Sequence, residues 1–150
     1  MGADVIAAVG STFWGVPFGH DIQTQPLIWT KAACGNKCSG FMLHTIRDKD
    51  GNKTPYALPS SYGPAPMQGL VADGCFMCFT RKAIQAGLRW SEDFTWHFYD
   101  MDCSLQCNAM GLKMMTAPIL LQHDSMGQSV IQPEFMLAQK RFIDKCRNRK

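Results

Sequence analysis

The chain has no apolar run near the roughly 20 residues that a bilayer-crossing helix needs. It also has no cationic start leading into an apolar stretch and a small-residue cleavage site. Neither a membrane span nor a secretory leader is expected, and the expected location is cytoplasmic. Charge of one sign is scarce: 15 basic and 12 acidic residues leave a net +3. Much of that excess sits in the tail KRFIDKCRNRK, so a nucleic-acid partner is not expected. Repeats and low-complexity tracts are missing, which excludes solenoids and disordered linkers. What remains is 150 residues with 46% hydrophobic content. That is one domain, 1–150, able to bury roughly 70% of its unfolded surface.

Seven cysteines are an odd number for a disulfide framework, and without a secretory signal they read as reduced thiols that pack as small apolar side chains. Cys34 and Cys38, Cys75 and Cys78, and Cys103 and Cys107 form close pairs. Cys75 and Cys78 lie in the strand-like run VADGCFMCFT, where positions three apart point to opposite faces and chelate one ion poorly. Cys103 and Cys107 share a helix face as any core pair does. A small zinc protein using these pairs is the thinnest of the readings.

The pattern along the chain is mixed strand and helix. Val5–Val9 (VIAAV) reads as a short buried strand broken by Gly10, Ser11 and Thr12. Phe13–Gln25 mixes glycine, proline and aromatics without period and reads as a loop. KCSGFMLHTIR and the segment from Lys53 to Leu58 flank RDKDGN, whose Asp50-Gly51 predicts a hairpin. Pro55 assigns the second arm to a sheet edge, and Leu58–Gln68, with three prolines, reads as a rigid connector. In LVADGCFMCFTRKAIQAG a strand bends at Gly74, resumes, and enters a short helix opened by Thr80. The segment 133–148 reads as a C-terminal helix. Pro133 is its first residue and Phe135, Ala138, Phe142 and Cys146 form one stripe.

The densest chemistry lies between Trp90 and Gly127, WSEDFTWHFYDMDCSLQCNAMGLKMMTAPILLQHDSMG, which holds five acidic residues and two histidines. Asp100 and Asp102 open about two turns of helix that Gly111 stops with a left-handed residue. His123 follows where a strand runs out into a loop, a place that carries chemistry more often than a strand middle. In a regular helix Asp100 and Asp102 stand roughly 200° apart. One therefore faces a cleft while the other caps or pairs, and Asp100 is assigned to the cleft.

VADGCFMCFTRKA, RWSEDFTWHFYDMDCSLQCNAMGLKM and LLQHDSMG, in that order, resemble the C-terminal half of family 2 type glycosyltransferases with the GT-A fold. The Trp-His-Phe-Tyr-Asp wording resembles a bacterial glycosyltransferase-like subgroup. Tyr99 stands where the family's acidic motif has Glu. The resemblance implies an α/β fold, a GT-A-like mixed sheet with flanking helices, lacking the N-terminal nucleotide-binding half. It implies inverting transfer of a sugar from a nucleotide-sugar to a saccharide acceptor hydroxyl, with Asp100 as the base. Asp73 and Gly74 match the strand end that approaches the donor sugar, and Glu92 and Asp93 match the acceptor side. The late histidine, His123, matches a group that holds phosphate or a metal in relatives.

The family's early Asp-x-Asp motif, which holds a divalent ion, has no counterpart here, since Asp100-Met101-Asp102 opens a helix late in the chain. A Mn²⁺ or Mg²⁺ cofactor is thus expected only if the missing half is supplied, by a second copy or a complementing domain. An exposed edge such as Val5–Val9 would then need a partner to cover it.

Each assignment has a plainer counterpart. Aspartates cap helices routinely, histidines at strand ends are often hydrogen-bonded structural groups, and Glu92 and Asp93 fit a solvated turn. Trp90, Trp96, Phe98 and Tyr99 fit a core, but crowded as they are, at least one, such as Trp96, is expected to stack on sugar rings. His97 belongs either to the site or to the sheet; His20 and His44 have no informative context. The N–H groups at the helix start are expected to keep Asp100 ionised. Asp73, Asp100 and His123 are expected to line one cavity. A noncatalytic carbohydrate-binding or assembly module is the alternative of different class.

Overall fold

The computed structural model describes residues 2–12, 35–124 and 133–148. Phe13–Gln25, His20 and Cys34 lie outside them. The described chain is a mixed α/β fold of two sheets and three helices. Its strands are β1 (Val5–Ala7), β2 (Val9–Ser11), β3 (Cys38–Arg47), β4 (Lys53–Gly63), β5 (Val71–Ala72), β6 (Met77–Phe79), β7 (Met114–Thr116) and β8 (Gln122–His123). The helices are α1 (Arg81–Gln85), α2 (Tyr99–Ala109) and α3 (Pro133–Arg147), and one 3-10 turn covers Gly35–Lys37.

VIAAVGS serves both sheets. β1 lies in the middle of the smaller one, antiparallel to β6 and parallel to β7. After a bend at Ala8 the same segment becomes β2, between β3 and β5 in the larger sheet, ordered β4-β3-β2-β5. The break expected at Gly10 is therefore a correction: pairing runs on to Ser11, since Gly10 and Ser11 find partners on both sides. A second correction concerns the edge. Val5–Val9 is no exposed edge, because neighbouring strands take up its backbone on both flanks, and it gives no reason for a partner copy.

The β3–β4 hairpin forms around RDKDGN. Gly51 N–H closes the turn on Asp48 O at 3.0 Å, and Asp48 Oδ1 accepts from Asp50 and Asn52 N–H at 2.9 Å each. β4 is the outer strand, as Pro55 implies. It continues through Pro59 to Gly63, where the sequence reads a connector. The register explains the tolerance. Leu43 N–H donates to Leu121 O, away from β4, so its cross-strand partner Pro59 turns its ring nitrogen to the open side. No ladder bond is lost there, and the free edge carries no donor at that point. Beyond β2, the same side of β3 holds β8, pairing His44 with His123.

Thr80 caps α1 by accepting Ala83 N–H at 3.2 Å. α2 starts differently: its cap is Phe98 at φ 66°, with no side-chain bond, a conformation costly for a bulky residue. Gly111, at φ 65°, ends the helix as expected. One face of α2 sends Cys103 and Cys107 into a core with Val5, Ala72, Leu88 and Met114. The pair is therefore buried packing; six cysteines among the described residues are free thiols. On its other side Phe98 and Met101 meet Phe142 of α3, joined by Phe135, Ala138 and Cys146, the predicted stripe.

That second contact closes over charge. Asp102 is completely buried, and Lys145 Nζ of α3 reaches its Oδ1 at 3.1 Å while Gln106 Nε2 donates to Oδ2 at 2.8 Å. The same ammonium holds Asp93 at 2.7 Å and Ser91 at 2.8 Å and stands 5.2 Å from the Phe94 ring centre. Lys145 thus ties α3, α2 and the preceding loop together. Among the described residues no helix is long and apolar enough to cross a membrane.

Lys145→Met leaves the Asp102 carboxylate buried without its cation. It is expected to lower stability in urea by about 3 kcal/mol, the low end for a broken buried pair because Lys145 still reaches water. Adding Asp102→Asn is expected to restore part of the loss. An unchanged denaturation midpoint for Lys145→Met removes the clamp from this account.

Candidate functional site

The gap between the two sheets is where the chain leaves β5. Asp73 N–H still pairs with Val9 O at 3.0 Å, then the backbone turns toward β6. The bend expected at Gly74 is this crossing from one sheet to the other. Asp73 Oδ1 accepts Cys75 N–H at 2.8 Å and fixes the turn. Gly74 N–H, left without a strand partner, donates to Asp100 Oδ2 at 3.0 Å. Asp100 Oδ1 accepts Met101 N–H at 2.8 Å.

A second tie lies just behind. Ser104 Oγ donates to Asp100 O at 2.7 Å and accepts Ala72 N–H at 3.1 Å. The end of β5 and the start of α2 are thus joined twice. Gly74 is required by space, for a Cβ there would fall 2.2 Å from Tyr99 Oη and 2.5 Å from the ring. Trp90 meets Tyr99 edge-on at 5.5 Å and Phe79 at 5.1 Å.

These contacts set the protonation states. Burial, then the Asp73 charge, push Asp100 up to about 6 against the pull of the Gly74 and Met101 N–H groups. The expectation that helix-start amides dominate is corrected: two hydrogen bonds do not offset desolvation beside a second carboxylate. Burial and then the Asp100 and Asp73 charges raise the Tyr99 hydroxyl to about 12. The Cys75 thiol and the Tyr62 hydroxyl also go up, through burial first and Asp73 next. Around two acids stand three groups that keep their protons at neutral pH, and the thiol is correspondingly a poor nucleophile. Tyr62 and Cys75 escape sequence reasoning because one lies in a presumed connector and the other in a presumed strand. Tyr99, adjacent to Asp100, was legible as an aromatic and as the residue standing at the motif's Glu position, not as a group that keeps its proton beside the acids.

The other predicted residues disperse. Asp102 faces away from Asp73, into the Lys145 ion pair, and Asp93 shares that lysine. Lys145 and Ser91 together hold the Asp93 carboxyl below its usual range. Glu92 is exposed on the same loop. Asp93, Trp96 and His97 line a separate depression of about 490 Å³ against α3. His97 packs edge-on to Phe135 at 5.2 Å.

His123 sits at the end of β8 with its ring centre 5.9 Å from that of His44. Its register partner His44 lies four positions along β3 from Gly40, the residue facing Val9, which is roughly 13 Å along the strand. Asp73 and Asp100 therefore stand together around Gly74, while His123 lies apart from them. Among the described residues no three His, Cys, Asp or Glu converge to hold a metal ion. Both Asp100 oxygens accept backbone N–H groups.

The raised Asp100 value has a definite sign in stability. The folded state holds this proton more tightly than the unfolded chain, so its contribution is full below about pH 4 and is lost as pH rises through about 6. Carbon-13 carboxyl titration is expected to find Asp100 near 6, and lower in Asp73→Asn. Asp100→Asn is expected to remove that part of the pH dependence of stability. A value in the ordinary aspartate range in the parent protein contradicts the electrostatic description.

In a separate variant, Gly74→Ala is expected to displace Tyr99 and cost about 1–3 kcal/mol, read from the denaturation midpoint and the tyrosine near-ultraviolet dichroism. No family model and no curated protein matches the chain.

Proposed function

We propose that the Asp73–Asp100 cluster is the acid–base centre of a carbohydrate-directed domain, related to inverting transfer of a sugar from a nucleotide-sugar to an acceptor hydroxyl. The observation that carries this reading is the joining of two carboxyl groups across Gly74, with Asp100 raised to about 6. A base of that strength is mostly ionised at neutral pH yet close enough to it to take a proton readily. In the proposed step Asp100 accepts the proton of the acceptor hydroxyl as its oxygen bonds to the anomeric carbon. The bond from that carbon to the diphosphate oxygen breaks, and the electron pair departs with the phosphate.

Tyr62, Cys75 and Tyr99 keep their hydrogens beside Asp73 and are suited to donate to sugar oxygens. Trp90, 45% exposed, offers an aromatic face at the rim. The GT-A resemblance supplies the identity of the substrates; the acid pair alone would suit other proton transfers.

A second reading is a noncatalytic carbohydrate-binding or assembly module. In its favour, no Lys or Arg among the described residues is hydrogen-bonded or ion-paired to Asp73 or Asp100. A departing diphosphate needs cations, which would have to come from elsewhere.

Release of nucleoside diphosphate from a panel of nucleotide-sugars, with saccharide acceptors and Mn²⁺, separates the two. Transfer is expected to rise with pH through about 6 and to fall by about 10²–10⁴ in Asp100→Asn. Full activity in that variant overturns the assignment of the base. Saccharide binding with no diphosphate release under any condition selects the noncatalytic module.

A further inference from the structure

The depression between the loop before α2 and the outer face of α3 has no part in the Asp73–Asp100 cluster, yet it has the makings of a ligand site. Its volume is about 490 Å³, within the range of small-molecule pockets. Trp96, 74% exposed, and Leu137, 62% exposed, line it with apolar surface. Two charged side chains stand at its ends, for Glu134 and Arg141 line it from the same face of α3, two turns or roughly 10 Å apart. Arg141 Nη1 donates to Asp93 O at 2.9 Å, which anchors the guanidinium. No other hydrogen bond or ion pair engages Arg141 or Glu134 among the described residues. The Asp93 carboxylate nearby draws mainly on Lys145 at 2.7 Å and only weakly on Arg141, so the remaining N–H groups of Arg141 are those left to meet a ligand.

We infer that this depression binds an acidic saccharide about two sugar rings long, with a ring face on Trp96, hydroxyls donating to Glu134, and a carboxylate or phosphate on Arg141. An exposed indole packs on the C–H face of a pyranose. A guanidinium fixed at one nitrogen keeps a planar fork for an anion, and the opposite end, being acidic, excludes the anion and sets the direction. The choice of saccharide as ligand rests on the carbohydrate reading above; the geometry of the site does not depend on catalysis at Asp100.

Cellobiose and its acidic counterpart cellobiouronate are suitable probes. They are titrated to millimolar concentration into the full chain while the Trp96 indole N–H is followed by ¹H–¹⁵N correlation spectroscopy, its signal assigned by its loss in Trp96→Phe. Cellobiouronate is expected to move that signal saturably, and Arg141→Gln to weaken its binding about tenfold without altering the response to cellobiose. Arg141→Lys, which keeps the charge, is expected to retain part of the affinity and guards against a folding effect of the glutamine variant. Movement with cellobiose alone, or with neither sugar, overturns the inference.

The same titration on Asp100→Asn separates this site from the acid–base centre. Saccharide binding at Trp96 together with undiminished transfer in Asp100→Asn removes the base and leaves this site standing. Lost transfer in Asp100→Asn with an unmoved Trp96 signal removes this site alone.

Discussion

The register of α2 between the sheet and α3 governs the rest of the molecule. Two aspartates two positions apart cannot face the same way on a helix, so the rotation of α2 about its axis decides which is buried against a lysine and which meets the end of β5. Lys145 settles it. With Asp102 wholly buried under that ammonium, a rotation that took Asp102 away from it would leave a charge in the core, a larger penalty than losing the Gly74 hydrogen bond to the half-buried Asp100. Asp100 is thereby pointed at Gly74, and the helix begins from Phe98 in a left-handed conformation held by the packing of its ring between Phe135 and Phe142.

The same constraint gives the acid cluster its electrostatics. Asp100 is held by two backbone N–H groups, which favour its charge, in a place that is partly desolvated and beside Asp73, which disfavour it. The balance falls on the side of the proton. A carboxyl poised in this way can exchange protons near neutral pH, whereas Asp93, held by Lys145, and Asp124, held by the exposed Lys53, are lowered and act as surface anions. Site and scaffold thus use the same residue type for opposite ends, and the difference is burial and the sign of the nearest charge.

Local patterns were legible wherever the cause is local. The Asp-Gly turn of the β3–β4 hairpin, the Thr80 cap, the Gly111 stop and the apolar stripe of α3 all follow from backbone preference or period, and each stands where the sequence puts it. Legibility failed where a neighbour distant in sequence decides. β4 keeps its pairing through Pro59 because the register turns that nitrogen outward, and VIAAVGS continues to Ser11 because β3 and β5 flank it. Likewise, the dispersal of Trp96, His97 and His123 from Asp100 could not be read from residues that lie close together or share a motif.

By itself the sequence determined the α/β class, the hairpin, the helices and the pair Asp73 and Asp100 as residues worth following, since these depend on side-chain chemistry and short-range geometry. Only the tertiary structure decided that Asp100 carries a raised affinity for its proton, that Asp102 is a buried ion-pair partner, and that Trp96 belongs to a second depression. The physical reason is that desolvation and Coulomb interaction depend on distances through space, which side chains such as Lys145 and Tyr62 set from far along the chain.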